Sequence, residues 1–319
     1  GKRTPIDEFT AQNRGGKGIK GLTRREDDIV KTMFTASTHD HIAFFTSKGR
    51  TFRLKGYEIP EGSRTSKGMN IVNLLPLEGG ETISSMNCGR GDDYKYLCMF
   101  TRNGIIKRSA VTEYANIRRT GVIAITLDEG DELAWVKMTK GNDDIIVATK
   151  KGMSIRFNEN DARPIGRTAR GVKAIELAEG DEVIGVATVE EGKSILTVSE
   201  TGFGRVSDFD NYRVQSRGGK GLINYHTEKN GDVAAVTSVS DDNDIILISS
   251  DGIIIRIPAD GISKFARPSK GVRVMRVSEG EKIVTLTPVE KEEEETPSEE
   301  NAEGEATQAD NSAEEQPQE

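Results

Sequence analysis

The sequence predicts an all-β chain made of six units of about 50 residues, four strands to a unit, arranged like the blades of a propeller. Three recurring markers lead there. A basic, glycine-bearing loop ends on glycine at 18, 68, 121, 171, 221 and 271. A hairpin glycine recurs at 49, 104, 152, 202 and 252. An acidic turn recurs as Glu78-Gly79-Gly80-Glu81, Glu129-Gly130-Asp131-Glu132, Glu179-Gly180-Asp181-Glu182 and Glu279-Gly280-Glu281. A fixed period of this size marks an array of like units, and four strands are the size of a propeller blade. No segment shows sustained helical periodicity.

Within a unit the elements follow in order. An apolar run such as Ile145-Ile146-Val147-Ala148 or Ile245-Ile246-Leu247-Ile248 precedes the hairpin glycine, and another such as Ser154-Ile155-Arg156-Phe157 or Ile254-Ile255-Arg256-Ile257 follows it. Asn103-Gly104 and Asp251-Gly252 are dipeptides favoured in two-residue type I′ hairpin turns. A longer loop then carries the basic glycine turn and leads to a third strand. The acidic turn and a last strand, beginning at Ile83, Leu133, Val183 or Ile283, complete the unit. Lys2-Arg3 aligns with Lys107-Arg108, so the first unit is entered part-way along a strand and the chain is expected to be a portion of a longer protein.

The bulk composition agrees. Of 319 residues, 34% are hydrophobic, 5% are aromatic and 34 residues are glycine, which fits a lean aliphatic core with many tight turns. There is no apolar run of the length a membrane helix needs, and the lack of a signal peptide says little for a chain that opens inside a repeat. Cys88 and Cys98 give neither a disulfide framework nor a zinc spacing, as expected for reduced thiols. The formal net charge of −8 is unevenly placed. From Glu290 onward 13 acidic residues face one lysine, which leaves 43 Lys/Arg against 39 Asp/Glu in residues 1–289. A mildly basic body of six blades, 1–289, is therefore expected to carry a disordered acidic tail, 290–319, too polar to bury a core.

The cations are the candidate site. The most concentrated run is Gln12-Asn13-Arg14-Gly15-Gly16-Lys17-Gly18, and it returns as Gln215-Ser216-Arg217-Gly218-Gly219-Lys220-Gly221. Weaker copies hold Arg64 and Lys67, Arg167 and Arg170, and Arg267 and Lys270, while the third unit offers Arg118 and Arg119. Glycine lets another molecule come close to the backbone, and flanking cations select an anion. In Phe52-Arg53-Leu54, Ile155-Arg156-Phe157 and Ile255-Arg256-Ile257 the arginine lies between two core residues, so strand alternation predicts that it points outward. Arg3, Arg108 and, shifted by one place, Arg205 fall in the corresponding strands. Cations at repeat-equivalent positions are expected to form a band around the rim. Arg/Lys side chains and backbone N–H groups are the usual contacts to nucleic-acid phosphates. The scarcity of aromatics argues for a duplex rather than stacked single strands.

Catalytic readings are weaker. His39-Asp40-His41 has no cysteine partner and no HExxH spacing, so it is read as a strand entry rather than a metal site. Gly16-Lys17-Gly18 lacks the Ser or Thr that follows the lysine of a phosphate-binding loop. A protein-interaction propeller, or a propeller enzyme with acids on its central face, stays open as an alternative.

These residues resemble the C-terminal domain of the A chain of bacterial DNA gyrase. The hallmark of that family is a Gln-Arg-Arg-Gly-Gly-Arg/Lys-Gly box in its first blade, matched by Gln12–Gly18 except at Asn13. Ser37-Thr38-His39-Asp40-His41, Lys48-Gly49-Arg50 and Gly56-Tyr57-Glu58-Ile59-Pro60 are also gyrase-like, and the likeness covers roughly 1–289. The resemblance implies a six-bladed β-pinwheel that wraps duplex DNA around its basic rim, with the box as the anchor, so that ATP-driven strand passage introduces negative supercoils. It further implies a monomeric domain working with the rest of the gyrase A polypeptide and with the gyrase B polypeptide in an A2B2 assembly. The nicking tyrosine, ATP and magnesium would then all act elsewhere, leaving this stretch with no cofactor. The related topoisomerase IV polypeptide usually has a degraded box, so the kept box favours gyrase.

Overall fold

The computed structural model describes residues 2–6, 9, 19–20, 36–63, 68–88 and 93–291. Among them lie five antiparallel four-stranded sheets. Six were expected. The sixth, expected from the first unit, falls largely on 10–18 and 21–35, outside the described residues, as do the acidic tail beyond 291 and the loop 64–67.

Each sheet follows one plan. In the third unit a hairpin, Tyr96–Thr101 and Ile105–Ala110, pairs on its first strand with the unit's own last strand, Leu133–Thr139. The other edge is closed by two residues of the next unit, Val172–Lys173, through Val172↔Ile106 and Lys173↔Ile105. In the same way Val122–Ile123 closes the second unit's sheet, Leu222–Ile223 the fourth's and Val272–Arg273 the fifth's. The sequence assigns four strands to a unit, but in the third to sixth units the third strand is lent to the unit before it. Sequence pattern alone cannot show this, because a two-residue strand carries no period. Ile19–Lys20 of the first unit pairs with Ile253–Pro258 of the last, which closes the ring.

The last strands of successive units pack side by side, from Ile83–Asn87 through Leu133–Thr139, Val183–Thr188 and Val233–Val239 to Ile283–Glu290. They form the inner edges, so the lent strands form the outer ones. The core lies between blades. One buried cluster joins Phe100, Ile106 and Cys98 of the third unit to Ile145, Ile155 and Phe157 of the fourth. Burial pushes the Cys98 thiol up to about 12, so it acts as a small apolar side chain.

The hairpin glycines do more than turn the chain. Gly104 has φ 88° and donates to the Thr101 carbonyl at 3.1 Å, closing a three-residue connection instead of the expected two-residue turn. At Gly202 an added Cβ would stand 2.1 Å from the Met275 carbonyl oxygen, and the Gly202 carbonyl accepts from Val274 N–H at 2.8 Å. A side chain there would push away the segment that carries the next unit's lent strand. The turn that replaces the acidic marker in the fifth unit is a single helical turn, Thr227–Asn230, ended by Gly231. Short 3-10 turns, such as Gly56–Glu58 and Glu159–Asp161, follow the hairpins.

Candidate nucleic-acid interface

Most of the strand arginines do not point into solvent. Arg108, Arg205 and Arg256 are buried, Arg3 and Arg156 are half-buried, and among these positions only Arg53 is exposed. Alternation sends each side chain to the face opposite its own core, but that face is covered by the next blade. Arg108 donates to the Ala162 carbonyl at 2.8 Å and meets Glu159 at 3.1 Å, both in the following unit. Arg156 reaches the Phe209 carbonyl at 3.0 Å and pairs with Asp144 at 2.9 Å. Arg53 reaches the Tyr114 carbonyl at 3.3 Å, and Arg3 reaches that of Ile59 at 2.7 Å. Arg256 pairs with buried Asp244 at 2.8 Å and crosses the ring seam to the Phe9 carbonyl at 3.0 Å. These arginines therefore join blade to blade. They donate to carbonyls at or beside the 3-10 turn of the next unit, which are left over when such a turn ends. The expectation that Arg108, Arg205 and Arg256 belong to an outward band is corrected on this ground.

Arg205 illustrates the one-residue shift. It is equivalent to Lys107 rather than to Arg108, since Gly202 matches Gly104, and a one-place slip reverses the face. Both side chains are fully buried. Arg205 donates to Tyr212 Oη at 3.1 Å, to the Asn224 carbonyl at 2.6 Å and to the Ser269 carbonyl at 2.9 Å. Lys107 donates to Tyr114 Oη at 3.0 Å, to the Ala124 carbonyl at 2.6 Å and to the Arg167 carbonyl. Burial, aided by the Arg167 charge and opposed by Glu113, pushes Lys107 down to about 7. Both buried cations thus hold the next unit's basic loop from beneath.

The loop cations do lie on the outer edge. Arg167 Nη1 donates to the Ile123 carbonyl, Arg217 Nη1 to that of Lys173 at 2.8 Å, and Arg267 Nη1 to that of Ile223. Each therefore rests on the strand that its predecessor lent. The three are half-buried, while Arg118, Arg119, Arg170, Lys220 and Lys270 are exposed. Arg170 faces Asp128 and holds that carboxyl below its usual range, but an exposed pair of this kind is weak and can be exchanged for a phosphate. The last glycine of the loops at 221 and 271 has a local reason. A Cβ at Gly221 would stand 2.1 Å from the Ser154 carbonyl oxygen, and one at Gly271 the same distance from that of Gly204. Its bareness lets the lent strand seat against the neighbouring unit.

Sequence reasoning missed Lys173 and Arg273, exposed on the lent strands themselves. The available signal was their place two residues after the loop's last glycine. Lys270 and Arg273 both stand over the Phe203 ring, 3.8 and 4.5 Å from its centroid. The box Gln12, Asn13, Arg14, Gly15, Gly16, Lys17 and Gly18, together with Arg64 and Lys67, lies outside the described residues. Among the described residues no group of three or more His, Cys, Asp or Glu is placed to hold a metal ion. No helix there is long and apolar enough to cross a membrane.

Together these features define a strand-exchanging propeller whose outer edge repeats a cation-bearing loop. The family model described as "DNA gyrase C-terminal domain, beta-propeller" matches residues 1–37, 40–88, 95–140, 143–190, 193–240 and 243–290, one segment to a unit. The chain belongs to this family. It is 55% identical over 278 residues to the DNA gyrase A polypeptide of Halalkalibacterium halodurans and 50% identical over 277 residues to that of Clostridium acetobutylicum. Each alignment covers 86% of this chain and 33% of the relative, so the chain spans about a third of their length. A solved DNA gyrase A C-terminal domain superposes with TM-score 0.80 at 28% identity, covering 90% of this chain and 95% of the other. The C-terminal domain of a DNA topoisomerase IV shares the fold, with TM-score 0.70 at 22% identity and coverage of 91% and 90%.

Proposed function

We propose that this domain binds duplex DNA along its outer edge and wraps it, as part of a DNA gyrase A polypeptide working with the gyrase B polypeptide in an A2B2 assembly. The observation that carries this is the recurrence of exposed cations on successive outer loops and lent strands, at Arg118–Arg119, Arg170 and Lys173, Lys220, and Lys270 and Arg273. A ring of such positions offers phosphates a curved, sequence-independent track. The strand-nicking tyrosine, ATP and magnesium belong to the rest of the gyrase assembly, and this domain supplies no cofactor chemistry. A cytoplasmic, nucleoid-associated location follows from that role. The retained box at Gln12–Gly18 favours gyrase over topoisomerase IV.

The test is to bind the chain to relaxed circular DNA, add a nicking-closing enzyme and read the linking-number change. With about 6 to 10 phosphates neutralised, affinity should fall roughly 10³–10⁵-fold between 50 and 200 mM salt. A flat salt response with no change in linking number would leave a protein-interaction propeller.

A further inference from the structure

The lent strands carry three exposed large aliphatic side chains among their cations, Val172 at 36% and two isoleucines at one equivalent position. Ile123 is 51% exposed and Ile223 is 44% exposed, each the second residue of a lent strand. The same position in the intervening and following lent strands is Lys173 and Arg273. Apolar and cationic residues therefore alternate around the rim at equivalent points. Each isoleucine also sits beside an arginine, since Arg167 Nη1 and Arg267 Nη1 donate to the Ile123 and Ile223 carbonyls. Beneath each loop lies a buried cation, Lys107 or Arg205, bonded to the loop's backbone. The isoleucine is thus presented on a braced element rather than on a loose loop.

A duplex offers more than phosphates to a surface that it follows. Between its phosphate rows, the minor groove exposes sugar C–H walls and base edges, and apolar side chains enter there when DNA bends around a protein. Resting on the proposed wrapping function, we propose that Ile123 and Ile223 are apolar contacts to the inward-facing minor groove of wrapped duplex DNA. The cations on either side, Arg118–Arg119 and Arg170 for Ile123, Lys220 and Lys270 for Ile223, hold the flanking phosphates. The surrounding positive charge selects a polyanion as the occupant. Removing apolar area from water gives the contact a free energy that releases no counterion, so it adds affinity and bend without adding salt dependence.

The experiment uses the 319-residue chain and random-sequence duplex. The double variant Ile123→Ser/Ile223→Ser should bind roughly tenfold more weakly with an unchanged slope of log K against log salt, and should give a smaller linking-number change. Ile123→Val/Ile223→Val should retain most of both, while Lys220→Ala should lower the slope by about 0.9 for the one phosphate. A serine pair that binds and wraps like the parent, on a parent with a steep slope, overturns this inference and leaves wrapping intact. A serine pair that changes supercoiling only in the assembled gyrase overturns it as well, by assigning the isoleucines to a protein partner. A parent with no salt dependence overturns the wrapping function itself.

Discussion

Arg108 separates a cation that touches DNA from one that holds the blades together. Replacing it with alanine removes the cation bonded to Glu159, whose side chain has 0% exposure, against 4% for the arginine. Breaking a buried pair from one side costs about 3–5 kcal/mol. Glu159 keeps three donors, Thr139 Oγ1 at 2.6 Å, Gly141 N–H at 2.7 Å and Asp143 N–H at 2.8 Å, which places Arg108→Ala near the lower end. Glu159→Ala strands Arg108 and orphans all three donors, so it should cost more, about 5 kcal/mol. Trp135, the single tryptophan, lies on the third unit's inner strand and reports unfolding there by fluorescence in urea. Duplex binding by the folded Arg108→Ala chain should keep the parent's salt slope. A variant that loses less than about 1 kcal/mol, and whose slope falls by about 0.9, would refute the clamp and restore Arg108 to the phosphate contacts.

Lys107 titrates near 7 in the fold and near its ordinary 10.5 when unfolded, so between those values the unfolded chain binds more protons and stability climbs with pH, by at most about 1.4 kcal/mol per pH unit. Lys107→Met should flatten that climb in unfolding measured from pH 7 to 9; parallel curves for the two chains would deny the shift. Alanines in place of Gln12–Gly18 should abolish the linking-number change while leaving part of the binding, since a bending cost of about 1–6 kcal/mol is released before the DNA is. The same change at Gln215–Gly221 should do less to wrapping, and equal effects would remove the first unit's precedence. Deleting 290–319 should tighten binding near 50 mM salt, because a tethered polyanion competes for the rim, and the gain should fade as the Debye length shrinks from about 10 Å at 0.1 M to about 3 Å at 1 M. Equal affinities with and without those residues would leave them a solubility role.

Repeats were the legible part of the sequence. The period, the hairpin glycines and the acidic turns mark the described sheets, because each depends on local backbone chemistry. The strand arginines misled because alternation names two faces without saying what covers each. In a ring of blades the second face is covered by the next blade at Arg108, Arg156 and Arg256, and stays exposed at Arg53. A usable signal was present at a spacing of 12, where Asp144 and Asp244 lie at the start of the strands opposite Arg156 and Arg256. An acid facing a lone strand arginine across a hairpin marks a buried partner rather than a solvated charge. Arg205 needed finer alignment, since counting from Gly202 instead of from the apolar neighbours puts it in register with Lys107. The lent strands were beyond reach because Val172–Lys173 differs from an ordinary loop only in its partner, and that partner lies in another unit.

Borrowing an edge from the following unit also sets a schedule for assembly. During synthesis each blade stays one strand short until about fifty more residues have emerged, so every unit passes through a stage with an open, adhesive flank. For the sixth blade the missing strand comes from the earliest repeat, in a contact where Arg256 meets Phe9 across 247 positions. Such a late, long-range closure is slow compared with the neighbour-to-neighbour steps before it. The ring behaves like a bracelet with its clasp made first and fastened last, and a deletion that removes whole units spares the chain's logic only if it spares both halves of the clasp.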